Sequence, residues 1–280
     1  VILRHPLIGG GCRRRLTDLG QVLPLSAYWG VALDPVHRVW IAQYDGTLYH
    51  GTYDRDGMCT QLGSVSGVAS ASGRAATQVA VDPALCAWWC ATQYGDRLYY
   101  GAYDPATGEP TIAGYIASGL ADSHTNGLVI DPDARLWIAG GDDGAYAVAY
   151  GTYDATGVPT SSGTQAVTAS ASTAMMIDHG RRLLHIYGAP HVYAYGSSGV
   201  LTGTTLTYAD VFSGVVDHGR SLAVAANADR SAYVLCDIAA DGSLTVLDAV
   251  DIASPTYPLG IDPDLGLVVD GIGHMWSYCK

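Results

Sequence analysis

Aspartates, histidines and aromatic residues recur between short apolar runs of this 280-residue chain, and their positions bound the chemistry it could do. One set, Tyr28, Trp29, Arg74, Asp122, His124, Asn126 and Asp210, precedes the apolar runs that open successive segments. A second set, Tyr44, Asp45, Asp96, Asp142, Asp143, His191, Asp229, Asp270 and His274, falls in the gap after the following run. Carboxylates gathered around one opening would offer hard oxygen ligands, and Ca²⁺ takes about six to eight of these. Asp45, Asp142 and Asp270 are the candidate ligands for such an ion. Tyr28, Trp29, Tyr44, Arg74, His124, Asn126, His191 and His274 are the candidate contacts for an organic ligand, with aromatic faces suited to stacking a sugar. Asp122 near His124 has the composition of a base and its orienter, but no serine or cysteine nucleophile is evident beside them. The plain alternative is that aspartates populate loops because they close turns and keep a rim soluble.

The elements that must position these residues are announced by repetition. The phrase GVALDPVHRVWIAQYDGTLYHGTYDRDG, beginning at Gly30, returns in varied form from Gln78, Gly127, Ala174, Ser213 and Pro258. Its shared aspartates are Asp34, Asp82, Asp131, Asp178, Asp217 and Asp262, at steps of 48, 49, 47, 39 and 45 residues. Several short strand-like runs in such a period read as one blade of a β-propeller. Strand A is the apolar run ending at Asp-Pro, buried on both faces against a central axis. In the first unit strand B follows over Arg38 to Gln43, C over Thr47 to Tyr53, and D over Met58 to Val65. Proline ends strand A because it lacks an amide hydrogen, and the aspartate can bond the backbone of the turn. The Tyr-Asp-x-x-Gly segments at Tyr53, Tyr103 and Tyr153 read as C–D hairpin turns. The strand-B tryptophans Trp40, Trp88, Trp89 and Trp137 read as packing between blades, whereas Trp29 and Trp276 are less clearly core. His179 and His218 replace proline in two Asp-His-Gly-Arg segments and are assigned to turns on the face away from the candidate ligands.

The chain ends fit a closed ring. The sixth unit stops after strand C, and residues 10–26 align with strand D of the other units. The expected fold is therefore all-β: a six-bladed propeller of four-stranded antiparallel blades, its last blade completed by an N-terminal strand that leaves no open edge. The domain spans residues 10–280, preceded by a basic arm at 1–9. Aligning the first and last units sets Cys12 against Cys279, which predicts a disulfide across the closing seam. Cys86 and Cys90 share a strand and, at about 3.3 Å per residue, are too far apart to bridge. Cys59 and Cys236 have no evident partner, and no Cys/His cluster suggests zinc or haem.

Composition narrows the function classes. A net charge of −12 argues against broad nucleic-acid binding. No uncharged apolar run approaches the roughly 18 residues of a membrane span. Glu109 is the only glutamate and Lys280 the only lysine, while Gly and Tyr number 35 and 19. Such a chain is poor in helix formers and rich in turn and strand formers. The first fifteen residues carry Arg4, Arg13, Arg14 and Arg15 and no acid, a basic segment for the acidic domain or a neighbouring subunit. Val1-Ile2-Leu3 is too short for the core of a secretion signal.

The repeated G-[VL]-x-[LVI]-D-P-x-x-x-[VL]-W-[IV]-A phrase resembles the repeat of NHL, YWTD and SMP-30/gluconolactonase-like propellers. The resemblance covers about residues 20–280 and implies the fold. For the lactonase branch it also implies a divalent metal at the channel mouth, held by Glu, Asn and Asp. Asn126 is the one position that matches an Asn ligand, while Glu109 falls in a C–D turn on the opposite face. Two functions follow as expectations. The first is a non-enzymatic structural or recognition module of an extracellular or virion assembly. It would bind a protein or glycan partner, or its own copies, through the propeller face or the basic arm. The alternative is a metal-dependent, lactonase-like hydrolase.

Overall fold

A computed structural model describes residues 14–23, 30–69, 76–92, 97–120, 125–142, 146–168, 175–186, 191–207, 211–227, 229, 231–252 and 258–279. The first blade is β2 (Gly30–Asp34), β3 (Val39–Tyr44), β4 (Thr47–Tyr53) and β5 (Cys59–Ser66), within a residue of the expected bounds. The second is β6 (Ala76–Asp82), β7 (Ala87–Thr92), β8 (Arg97–Tyr103) and β9 (Pro110–Ala117). The third comprises β10 (Thr125–Asp131), β11 (Leu136–Asp142), β12 (Tyr146–Tyr153) and β13 (Pro159–Ala166). In the fourth are β14 (Met175–Asp178), β15 (Leu183–Ile186), β16 (His191–Tyr195) and β17 (Leu201–Thr207). The fifth holds β18 (Val211–Asp217), β19 (Leu222–Asn227), β20 (Ala232–Ile238) and β21 (Leu244–Asp251).

The sixth blade joins both ends of the described chain. β22 (Pro258–Asp262), β23 (Leu267–Asp270) and β24 (His274–Cys279) are completed by β1 (Arg14–Gln21), antiparallel to β24. The inner strands β2, β6, β10, β14, β18 and β22 contact one another in sequence, and β22 returns to β2. Closure thus removes the edge that β24 would otherwise present. The register sets Gln21 opposite His274 and Arg14 opposite Cys279. Cys12, the basic arm and the Cys279 side chain lie outside the described residues. The other four cysteines, Cys59, Cys86, Cys90 and Cys236, are free thiols. Among the described residues there is no helix, and so none that could cross a membrane.

The core is distributed between blades. Val39, Ile41 and Leu48 of the first blade pack on Val79, Trp88 and Tyr99 of the second. Trp89 and Leu98 then meet Leu128 and Trp137 of the third. The four strand-B tryptophans are fully buried, as their positions suggested, and Trp276 is buried with them. The outer strands are half-exposed and polar, with alternating burial in β5, β13 and β21.

Each C–D ladder of the first three blades carries a bulge beside a glycine: Gly51, Gly101 and Gly151. A Cβ at any of them would collide with the carbonyl of Thr60, Thr111 or Thr160 on strand D. The repeated Gly-x-Tyr thus reports a close backbone approach. The C–D turns follow as expected: Asp54 Oδ1 accepts from Asp56 N and Met58 N, while Gly57 supplies φ +83°. Arg38, placed by sequence in strand B, is instead the left-handed last residue of the A–B turn, at φ 55°. Cys86, Arg135, Arg182 and Ser221 repeat that conformation.

Candidate functional site at the axial channel

The six inner strands enclose a channel of about 300 Å³. Because strand A is apolar in every unit, the channel wall is built of residues such as Leu33, Val81, Val129, Ile177 and Ile261. The A–B turns form one end of the channel, and there the wall changes character. The residue after each repeat aspartate lines it: Pro35, Pro83, Pro132, His179, His218 and Pro263.

The aspartates themselves are buried, and each accepts a backbone amide of its own turn. Oδ1 of Asp34 accepts from Val36 N at 2.8 Å and His37 N at 3.1 Å, the turn bonds that the sequence implied. Its Oδ2 accepts from Tyr103 OH of the next blade at 2.7 Å. The same reach joins Tyr153 to Asp82, Tyr195 to Asp131, Tyr278 to Asp217 and, across the closing seam, Tyr53 to Asp262. Five tyrosines therefore latch blade to blade, three of them from Gly-x-Tyr segments. Burial and the facing carboxylate push the Tyr103 phenol well above its usual range. The sequence pattern marked the aspartates and Tyr53, Tyr103 and Tyr153, but neither Tyr195 and Tyr278 nor any of the pairings.

The step between the fourth and fifth blades departs from this rule. Ile238 occupies the tyrosine position, its amide bonded to Ser221 O as Tyr53 N is to Arg38 O. Asp178 takes other donors: Arg181 Nη1 at 2.7 Å, Arg181 N at 3.1 Å and His218 Nδ1 at 3.2 Å. Burial opposes ionisation of Asp178, but the His218 and Arg181 bonds prevail and hold its carboxyl down at about 2. Burial and the neighbouring His218 lower the pKa of His179.

At the other end of the channel, the candidate ligand residues do not assemble into one described cluster. Tyr28, Trp29, Arg74 and His124 lie outside the described residues, as do the side chains of Asn126, His191 and Asp142. Tyr44 is exposed at the end of β3, followed by Asp45 and Gly46 with φ 48° and 75°. Asp45 therefore serves a tight B–C hairpin, whose geometry needs two positive φ values.

Asp270 is fully buried, and its oxygens accept from Ile272 N, His274 N, Tyr233 OH and Trp276 Nε1. Desolvation raises its pKa against those bonds. His274 faces Asp18 across the β1–β24 seam, with Nδ1 3.3 Å from the carboxylate. Among the described residues, the one His/Asp group compact enough to share an ion is Asp131, Asp133 and His179. It includes neither Asp45 nor Asp270, and it lies at the A–B end. The duplicated Asp-His-Gly-Arg segment was the signal for it.

A further titratable side chain is buried near Asp178. His185 in β15 stands where other blades carry Ile41, Trp89 or Ile138, and burial pushes its pKa from 6.5 down to about 4. Above pH 6.5 both folded and unfolded chains hold it neutral, so it adds no pH dependence there. Between pH 6.5 and 4 the unfolded chain binds the extra proton, and stability falls as pH falls. The expected loss across that window is roughly 3 kcal/mol. Urea unfolding at pH 7 and pH 4.5 checks it, and His185→Leu should flatten this part of the profile. Asp178 withdraws its contribution only further down, between 3.8 and about 2.

No protein-family model matches the chain, and no curated protein does. Solved structures do. A Lactobacillus plantarum protein superposes with a TM-score of 0.60 at 15% identity, covering 91% of this chain and 80% of that one. A proposed 6-phosphogluconolactonase from Bacteroides uniformis gives 0.56 at 13%, over 83% and 89% of the two chains. A chain of a nidogen/laminin complex gives 0.57 at 12%, over 84% of each. At such identities the likeness is one of fold, and the narrower resemblance to NHL or SMP-30 repeats rests on the sequence phrase alone. The conclusion that these comparisons and the sheet order share is that the chain is a six-bladed β-propeller.

Proposed function

We propose that this propeller is a non-enzymatic recognition module, a component of an extracellular or virion assembly, whose D–A and B–C loop face binds a glycan. The observation that carries this reading is Gln43. At the loop-facing end of β3 its amide is fully buried, and neither Oε1 nor Nε2 has a hydrogen-bond partner. An unpaired buried amide is costly, on the order of 1–3 kcal/mol, and a ligand hydroxyl or amide group would relieve it. The next residue, Tyr44, ends β3 with an exposed aromatic ring, a surface on which a sugar ring stacks. Rigidity supports the reading as well, since five tyrosine latches hold blade to blade.

The metal-dependent lactonase alternative has the fold of some neighbours behind it. Against it, Asp270 is occupied by four protein donors. A panel of immobilised glycans, probed with the full chain, tests the proposal. Saturable binding that Tyr44→Ala and Gln43→Leu each weaken at least tenfold is the expected result. Binding to no member of the panel would end the glycan reading. Metal-dependent hydrolysis of a sugar lactone would replace it with the enzyme.

A further inference from the structure

Four of the repeat aspartates are followed by proline and two, in adjacent blades, by histidine. Turns 39 residues apart in sequence thereby bring His179 and His218 together, with ring centroids 3.4 Å apart at the A–B end of the channel. Carboxylates of Asp131, Asp133 and Asp178 surround His179, an electrostatic setting that favours a cation over an anion.

Nδ1 of His179 is buried and makes no hydrogen bond. It lies 3.5 Å from Asp133 Oδ2. That separation is too long for a good hydrogen bond, but it is close to the ~3.4 Å edge of a tetrahedron of ligands held at ~2.1 Å. Donor atoms of Asp131, Asp133 and His179 all lie within 4.8 Å of one another. His218 directs Nδ1 at Asp178 Oδ1, 3.2 Å away, and its ring packs against that of His179.

We propose that this cluster binds one Zn²⁺-like divalent transition-metal ion through His179 Nδ1, Asp131 and Asp133, with solvent completing the shell. Imidazole donors suit zinc, cobalt or nickel better than calcium or magnesium. The ion would tie the third and fourth blades, next to the step where Ile238 replaces the latching tyrosine. It would also close the channel at that end. This site is separate from the loop face assigned to glycans, and either proposal can fail without the other.

The test uses the full chain stripped of metal, titrated with Zn²⁺ by calorimetry and with Co²⁺ by visible absorption. One equivalent should saturate, Co²⁺ should give the intense bands of tetrahedral coordination, and Zn²⁺ should raise the melting temperature. His179→Pro installs the residue that four other blades carry, so the turn is kept while the ligand is lost. Affinity should fall at least tenfold in this variant and in Asp133→Asn. His37→Ala, in the corresponding turn of the first blade, should bind as the parent does. Absence of saturable binding, or an affinity unchanged by His179→Pro, overturns the proposal.

Discussion

Asp34→Ala is expected to destabilise the propeller by about 4 kcal/mol, which would lower its melting temperature by roughly 10 °C. The magnitude follows from the number of donors that lose their acceptor in one step. Val36 N, His37 N, His37 Nδ1 and the phenol of Tyr103 all bond this carboxylate, and it is 1% exposed. Water cannot reach the buried phenol to replace the missing oxygen, so the desolvation cost stands uncompensated. Tyr103→Phe separates the two parts of the effect. It removes the inter-blade bond and leaves the turn intact, so about 1–2 kcal/mol should be lost. Denaturant unfolding of both variants provides the measurement. Should Asp34→Ala cost no more than Tyr103→Phe, the aspartate would be a latch without a role in the turn. Should the tyrosine variant be neutral, the latch itself would be dispensable.

Leu16→Asp should have a comparable effect by a different route, because it acts on closure. Leu16 is 3% exposed and packs among Leu222, Tyr233, Trp276 and Tyr278 between the fifth and sixth blades. Its amide also donates to Asp248 at 2.9 Å on β21. A carboxylate placed there would be buried without a partner, and several kcal/mol should be lost locally. β1 is the outer strand of its blade, so the chain can shed it without unfolding the rest. The exposed edge of β24 then becomes available to another molecule. The expected result is concentration-dependent association, seen by light scattering during size-exclusion chromatography, alongside a lower unfolding midpoint. A variant with the parent's size and stability would show that closure contributes little. Leu16→Val, which keeps the apolar contact, should associate no more than the parent.

The number of blades, the four-strand period and the turn residues were legible in the residues alone, because each depends on local chemistry. Apolar runs of strand length, proline after aspartate and glycine at a left-handed position act within a few neighbours of themselves. The buried strand-B tryptophans were legible for the same reason. Burial of Trp276 and the hairpin role of Asp45 needed the fold, since rim and core look alike when one residue is read at a time.

Pairings across the ring belong wholly to the tertiary structure. Tyr103 reaches Asp34 from 69 positions away, and Tyr53 reaches Asp262 from 209. Neither follows from spacing, because the rotation between blades decides which carboxylate a phenol meets. His179 and His218 read as two separate turn residues until adjacent blades placed their rings in contact. Local sequence could build each blade and its turns, but packing around a common axis decided which side chains shared a site.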